Sequence, residues 1–322
     1  MHAICDYVGR LRQYSLRSRH ANTRMRCFCL NPTWLRTSVI LGLFSFHPAH
    51  AHSPCSPLRV DETALVKTVV DGDTVRLTNN RLVRLIGINT PEIDHEHHRS
   101  EPGAETAREA LVKLIGPSRR IKIQYGQERE DRHGRLLAHL FTQAGANIQQ
   151  QLLQQGLGFW IAVPPNVYAI ECYRAAESKA RTQTIGIWNE RYYSPKSIAS
   201  LDQDARGFVV ISAYIQRVGQ GRKNIWLNLG DTLTDKRDHP SAQGVARQSK
   251  VALRIYRSDL HYFQDLIKDG VADLSNWQGR RVTVRGWIYP DLHSRQRPPQ
   301  LVMQVKHPAA LEFNATEFNK AQ

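Results

Sequence analysis

No apolar stretch of the chain matches a bilayer: the run Thr37 to Phe46, TSVILGLFSF, has ten residues against the ~20 of a spanning helix. Seven arginines, from Arg10 to Arg36, precede it, and Ala49-His50-Ala51 follows in an A-x-A cleavage pattern. The expectation is a secretory signal over residues 1–51; starting at Met25 instead would give a signal of ordinary length. The mature chain would then be periplasmic or secreted and keep no stable membrane anchor; an uncleaved anchor is the alternative. Cysteine is also scarce. Of five, only Cys55 and Cys172 outlast the signal, which excludes a dense disulfide framework and leaves one bridge or two unpaired thiols. Acidic residues are outnumbered, 29 to 44, for a net charge of +15. Residues 1–51 hold seven arginines and one acid, a net +6, so +9 remains without them. Polyanions are therefore the natural partners. Closed zinc-site spacing is missing too, so Asp94-His95-Glu96-His97-His98 reads as a solvated loop, with a transition-metal or substrate-facing loop as the lesser reading. With 41% hydrophobic residues and 322 positions, what remains is ordinary globular chain for about two domains.

The stretch Val69 to Glu92, VVDGDTVRLTNNRLVRLIGINTPE, carries most of the chemistry. Asp71-Gly72-Asp73 reads as a hairpin-type turn in which Gly supplies positive φ and carboxylates leave the end of a strand pair. Asp71 would serve its own turn and Asp73 a cation. Leu82 to Ile88 reads as one buried strand that nonetheless carries Arg84, a costly placement unless the guanidinium meets an anion. Asn89-Thr90-Pro91-Glu92 ends it, since Pro removes a ladder donor. Further on, Asp131 to Arg135, DRHGR, is another Gly turn, where Arg132 is either an exposed turn residue or a phosphate contact. Hard oxygens (Asp73, Asn89), a free carboxylate (Glu92) and two guanidiniums (Arg84, Arg135) suit phosphodiester hydrolysis. Oxygens hold a hard cation such as Ca²⁺, a carboxylate activates water, and guanidiniums neutralise phosphate charge.

With QQGLGFW at Gln154 to Trp160 and GIWNE at Gly186 to Glu190, these motifs closely resemble the staphylococcal-nuclease-like (thermonuclease) family, from about Ala64 to Trp188. The resemblance implies a five-stranded OB-fold barrel with three helices and Ca²⁺-dependent cleavage of DNA and RNA to 3'-phosphate products. It implies Asp73 and the Thr90 carbonyl as metal ligands, Glu92 as general base, and Arg84 and Arg135 as phosphate clamps. Asn89 departs from the best-known member, which has a second metal-binding Asp there; an amide oxygen still ligates Ca²⁺, with lower affinity for want of a charge. That member's stacking tyrosines have no clear counterpart among Ile161, Ala162, Val163 and Pro164.

The expected fold is mainly β with helices: an N-terminal extension (52–63), the nuclease-like barrel (64–190), a polar linker (191–206), a smaller OB-like β-barrel (207–313) and a tail (314–322). Strands are expected at Ala64 to Val70, Thr74 to Thr78, Leu82 to Ile88, Arg120 to Tyr125 and Leu136 to Thr142. Helices are expected at Glu105 to Ile115, Ile148 to Gln155 and Ala169 to Arg181. In the second barrel, Arg281 to Tyr289 alternates Val282, Val284, Gly286 and Ile288 inward with Arg281, Thr283, Arg285, Trp287 and Tyr289 outward. With Trp226 on the strand Asn224 to Leu229, that arginine and aromatic face fits a single-strand binder. Alternatively, a terminal helix covers the aromatics and the arginines keep an edge soluble. The pattern resembles the small OB-type nucleic-acid-binding domains found beside nuclease domains. The readings weighed are an exported nuclease acting on DNA or RNA, a catalytically weak binding protein on the same fold, and an envelope protein binding protein partners.

Overall fold

The computed structural model describes residues 55–94, 100–233, 250–266, 274–292 and 299–313. The signal segment, the tract His95 to His98 and the tail lie outside the described residues. Among the described residues, no helix is long and apolar enough to cross a membrane.

The first half closes into a barrel of β1 (Glu62–Asp71), β2 (Thr74–Leu77), β3 (Leu82–Leu85), β6 (Leu136–Phe141) and β5 (Arg120–Glu130), in that order around the ring. All neighbours are antiparallel except β3 and β6. Alternation drives closure: Val66, Val75, Leu77, Val83, Leu85, Ile121, Ile123 and Leu140 are buried on one side. Three helices cover this barrel. α1 (Ala104–Ile115) buries Ala104, Ala107, Leu111 and Ile115 at helical spacing; α2 (Ile148–Gln154) starts where the Asn147 side chain accepts the Gln150 N–H at 2.9 Å; α3 (Ile170–Thr182) follows. Cys172 on α3 is bonded to Cys55, so the bridge is the pairing adopted and it ties the N-terminal extension to the barrel.

The expected single strand Leu82 to Ile88 is in fact two. Gly87 takes φ of +80°, and a Cβ there would lie 2.4 Å from the Tyr173 ring, so glycine alone lets the chain turn under that ring. The chain leaves the barrel, and Ile88–Asn89 (β4) pairs instead with Phe159–Trp160 (β7) in a separate two-stranded sheet.

The second half repeats the strand order. β8 (Gly207–Gln220), β9 (Asn224–Gly230), β10 (Val251–Tyr256), β12 (Leu301–Gln304) and β11 (Arg281–Pro290) form a ring, with β10 and β12 as its parallel pair and β13 (Leu311–Phe313) added on the other edge of β11. Both rings are thus wound alike, and the fold is mainly β, an OB-type barrel followed by a second barrel. Ile211, Ile225, Leu227, Leu253, Val282, Val284 and Ile288 fill the second interior, plugged by Phe263 and Trp277. The polar stretch 191–206 is no free linker. Ile198 and Leu201 enter the second core, the Asp231 carboxylate accepts the Ile198 and Ala199 N–H groups, and the Tyr193 hydroxyl donates to the Pro102 carbonyl at 2.7 Å.

Candidate active site

The β1–β2 turn, the end of β4 and the DRHGR turn project toward one region of the first barrel. In the β1–β2 turn the Asp71 carboxylate accepts the Asp73 N–H at 3.0 Å, which is the structural role expected of it. The reason for Gly72 differs from expectation: its φ is not positive. A Cβ there would come within 2.6 Å of Ala107 Cβ and 2.7 Å of Thr90 Oγ1, so glycine is required by the approach of α1 and Thr90. Asp73 is thereby buried against Thr90, whose N–H donates to Asp73 Oδ2 at 2.9 Å; the Thr74 hydroxyl donates to Oδ1 at 3.1 Å.

Arg84 meets the anion its burial demands. Nη1 lies 2.8 Å from Asp73 Oδ2 and donates to the Leu85 and Ile88 carbonyls at 3.1 and 3.0 Å, while Nη2 donates to Asn89 Oδ1 at 3.0 Å. The Gly87 turn makes this possible by bringing the Ile88 carbonyl back beside the β3 side chain. Asp73, Asn89 and Thr90 are therefore drawn together around one guanidinium.

Burial pushes the Asp73 pKa up to about 6 against the pull of Arg84, and the Asp71 carboxylate adds to the rise. Glu92 is exposed as a residue, yet desolvation of its carboxyl raises its pKa too. Asp73 and Glu101 add to that rise, while Arg84 and Arg135 oppose it. Those influences tie the Glu92 carboxyl electrostatically to Asp73, Arg84 and Arg135. The Glu92 N–H donates to Glu101 Oε2 at 2.9 Å, and the Glu101 N–H returns to the Glu92 carbonyl at 3.0 Å. In the second turn, Asp131 Oδ1 accepts the N–H groups of His133 and Arg135, and Oδ2 accepts Arg135 Nε at 2.7 Å. Among the described residues no protein acceptor takes the terminal nitrogens of Arg135, so the fork is oriented and still open for phosphate. Arg132 is exposed, its Nε donating to His133 Nε2 at 3.0 Å.

Does this constellation fit a hard cation? Among the described residues, no three His, Cys, Asp or Glu side chains group as metal ligands. The donors that do converge are a carboxylate and an amide oxygen, sharing a cation in Arg84, with the Thr90 N–H on the same carboxylate. Carboxylate and amide are both hard oxygen donors, the type that a cation such as Ca²⁺ takes, and the pair has a low charge count.

The second barrel corrects part of the sequence reading. Its outward β11 face alternates as expected, but Arg285 is buried, with Nη1 2.8 Å from Glu177 Oε1 on α3 and Nη2 2.7 Å from Glu312 Oε1. It is taken by the first barrel and is not available to substrate. No terminal helix covers the face among the described residues; the first barrel covers part of it. Trp287 remains 43% exposed with its edge on Phe208, and Arg281 is exposed beside the Tyr214 ring. Trp226 and Tyr289 gather instead around Arg254, which the sequence reading missed. Arg254 lies 5.7 Å from the Trp226 ring and 5.0 Å from that of Tyr256, and Nη2 donates to the Tyr289 hydroxyl at 2.5 Å. Outward alternation in Val251 to Tyr256, opposite Trp226, was the available signal.

Residues 82–190 match the family described as Staphylococcal nuclease homologue. That span contains Arg84, Asn89, Thr90, Glu92, Arg132 and Arg135 and begins after Asp73. The chain is 31% identical over 129 residues to the SPbeta prophage-derived endonuclease YokF of Bacillus subtilis (strain 168), covering 38% of this chain and 43% of that one. It is 30% identical over 129 residues to the endonuclease YncB of the same organism, covering 38% and 60%. To a thermonuclease of Staphylococcus intermedius it is 29% identical over 130 residues, covering 39% and 76%. The chain thus spans less than two thirds of the length of the two Bacillus relatives.

Proposed function

We propose, from the likeness of the first barrel to staphylococcal nuclease homologues, that this chain is an exported, Ca²⁺-dependent nuclease hydrolysing phosphodiester bonds of DNA or RNA. The observation that carries the reading is the convergence of Asp73, Arg84 and Asn89 on one another beside Thr90. Pure binding does not require that assembly. The Cys55–Cys172 bridge supports an oxidising compartment.

In this mechanism Asp73, Asn89 and the Thr90 carbonyl would hold Ca²⁺, which supplies Lewis-acid polarisation of the scissile phosphate. Glu92 accepts a proton from the attacking water; its raised pKa brings it nearer the range in which a base works at neutral pH. Arg135, steered by Asp131 through Nε, presents two terminal nitrogens to phosphate oxygens. Arg84 neutralises the buried Asp73 carboxylate and would serve as the second phosphate clamp. On the second barrel, Trp226, Arg254 and Tyr289 offer a stacking and phosphate surface for single strands, with Arg281 and Trp287 alongside.

The test is hydrolysis of single-stranded DNA by the chain from His52 onward across a Ca²⁺ titration, with a chelator control and Asn89→Asp alongside. The expected result is activity abolished by chelator, with half-saturation at lower Ca²⁺ in Asn89→Asp. Wild-type chain that binds DNA but never cleaves it at any Ca²⁺ concentration would overturn the proposal in favour of a binding protein.

A further inference from the structure

Among the described residues, Asn89 sits on a strand with one neighbour: β4 pairs with β7, where Asn89 faces Phe159 and Ile88 faces Trp160, and the Ile161 N–H continues the ladder to the Gly87 carbonyl at 3.1 Å. Whatever holds β7 therefore acts on the segment that carries Asn89 and Thr90, alongside the bonds from Arg84 and Asp73. Both residues of β7 are backed from the second barrel. Phe159 packs on Phe208 of β8, ring centroids 5.1 Å apart, and the Arg285 guanidinium of β11 lies 4.8 Å over the Trp160 ring.

The polar contacts are more directional than the packing. Glu177 of α3 accepts the Trp160 N–H at 2.7 Å through Oε2, and both of its oxygens face Arg285 Nη1, at 2.8 and 2.9 Å. Arg285 Nη1 also reaches the Trp160 carbonyl at 3.4 Å, and Nη2 binds Glu312, which in turn pairs with Arg181 of α3 at 3.1 Å. The Glu177 and Arg285 side chains are 2% and 4% exposed. A buried ion pair is weak evidence for net stability, because desolvation consumes much of its attraction. What it supplies that an apolar pair does not is direction: it orients the carboxylate that grips the β7 backbone.

We propose that Arg285 is a positioning residue for the candidate active site, holding β7 through Glu177 so that β4 keeps Asn89 and Thr90 aligned with Asp73 and Arg84. The second barrel is then a structural part of the site as well as a neighbour with a binding surface. This rests on the nuclease reading for its consequence in metal binding and is independent of it for its consequence in the β4–β7 ladder.

The experiment compares wild type, Arg285→Met, Glu177→Gln/Arg285→Met and Arg285→Lys, all in the chain from His52 onward. Urea unfolding gives global stability, amide hydrogen exchange gives local opening, and calorimetry gives Ca²⁺ affinity. Arg285→Met leaves Glu177 buried and unpaired; the double variant removes that charge and recovers stability. The expected result is that amides of Gly87 to Thr90 and Phe159 to Ile161 exchange faster in both, while Val75 and Val83 in the barrel do not. Ca²⁺ affinity falls by about tenfold at most, because direct partners of a metal ligand are worth about 10- to 100-fold and Arg285 acts on Asn89 only through Glu177 and β7, and Arg285→Lys restores part of it. A double variant with recovered stability and wild-type exchange in the β4–β7 ladder would overturn the proposal, as would faster exchange spread evenly over both barrels. If Arg285→Met does not fold, the double variant carries the same comparison. Wild type that binds no Ca²⁺ would sink the nuclease reading, and the exchange pattern would still decide the role of Arg285.

Discussion

Replacing Arg84 by Met separates what the guanidinium does for folding from the catalytic role proposed for it. Asp73 is 1% exposed, and Arg84 Nη1 sits 2.8 Å from its Oδ2. Removing the guanidinium leaves that carboxylate with the Thr90 N–H and the Thr74 hydroxyl, and deprives the Leu85 and Ile88 carbonyls and the Asn89 amide of a donor. Breaking a buried pair from one side costs about 3–5 kcal/mol, a large share of the roughly 5–15 kcal/mol that holds a domain folded. Asp73→Asn costs less, because an amide oxygen still accepts from Arg84. In the double variant the unpaired charge is gone, so it should be about 2 kcal/mol more stable than Arg84→Met alone. The assay is urea unfolding with chelator at pH 8, above the pKa of about 6 that Asp73 has with Arg84 beside it. Turnover should be about 100- to 1000-fold down in Arg84→Met, which lacks the proposed phosphate clamp, and lower still in the double variant, which also lacks the proposed metal ligand Asp73. An Arg84→Met cost under about 1 kcal/mol, or a double variant no more stable than Arg84→Met, would refute the reasoning.

Three further outcomes follow from other parts of the molecule. His139 is buried against the Tyr173 hydroxyl at 2.7 Å, and burial lowers its pKa to about 4 from an unfolded value near 6.5. Below pH 6.5 the unfolded chain binds a proton that the folded chain refuses, so stability falls as pH drops from 6.5 to 4, by about 3 kcal/mol in all. His139→Gln should lose that slope in denaturant titrations across this range, and an unchanged slope would mean that other groups govern it. Gly72→Ala forces a Cβ to within 2.6 Å of Ala107 and 2.7 Å of Thr90. It should cost about 1–3 kcal/mol and depress activity by displacing Thr90, so thermal unfolding and turnover like those of wild type would contradict the packing account. Trp226→Ala should weaken single-stranded DNA binding by about 1–3 kcal/mol in fluorescence titrations, with hydrolysis of dinucleotide substrates unchanged. Equal affinity of the two proteins would remove the second barrel from substrate contact.

Much of the site is local in origin and was legible in the sequence. The Asp-Gly-Asp turn, an arginine inside an apolar strand and a Pro-terminated strand end are short-range patterns, and each names a residue and a chemical need. Arg84 illustrates this: a guanidinium amid Leu, Val and Ile requires an anion, and Asp73 is that anion. The reasons for the two glycines were less legible. Gly72 is demanded by α1, which begins 32 residues later, and Gly87 by the ring of Tyr173, 86 residues away. Spacing along a strand contains no information about such neighbours.

By itself, then, the sequence determined the elements, their alternation and the set of residues that suit the proposed phosphodiester chemistry, because periodicity and turn preferences act over a few positions. Tertiary structure alone decided that Leu82 to Ile88 breaks and sends β4 to β7. It also decided that Cys55 joins Cys172, that Arg254 gathers Trp226 and Tyr289, and that the outward Arg285 turns to Glu177 instead of substrate. An alternating strand specifies which side chains face outward. What they meet there depends on the surface that a second barrel brings against them, through contacts such as Glu177 to Arg285, 108 residues apart in the chain.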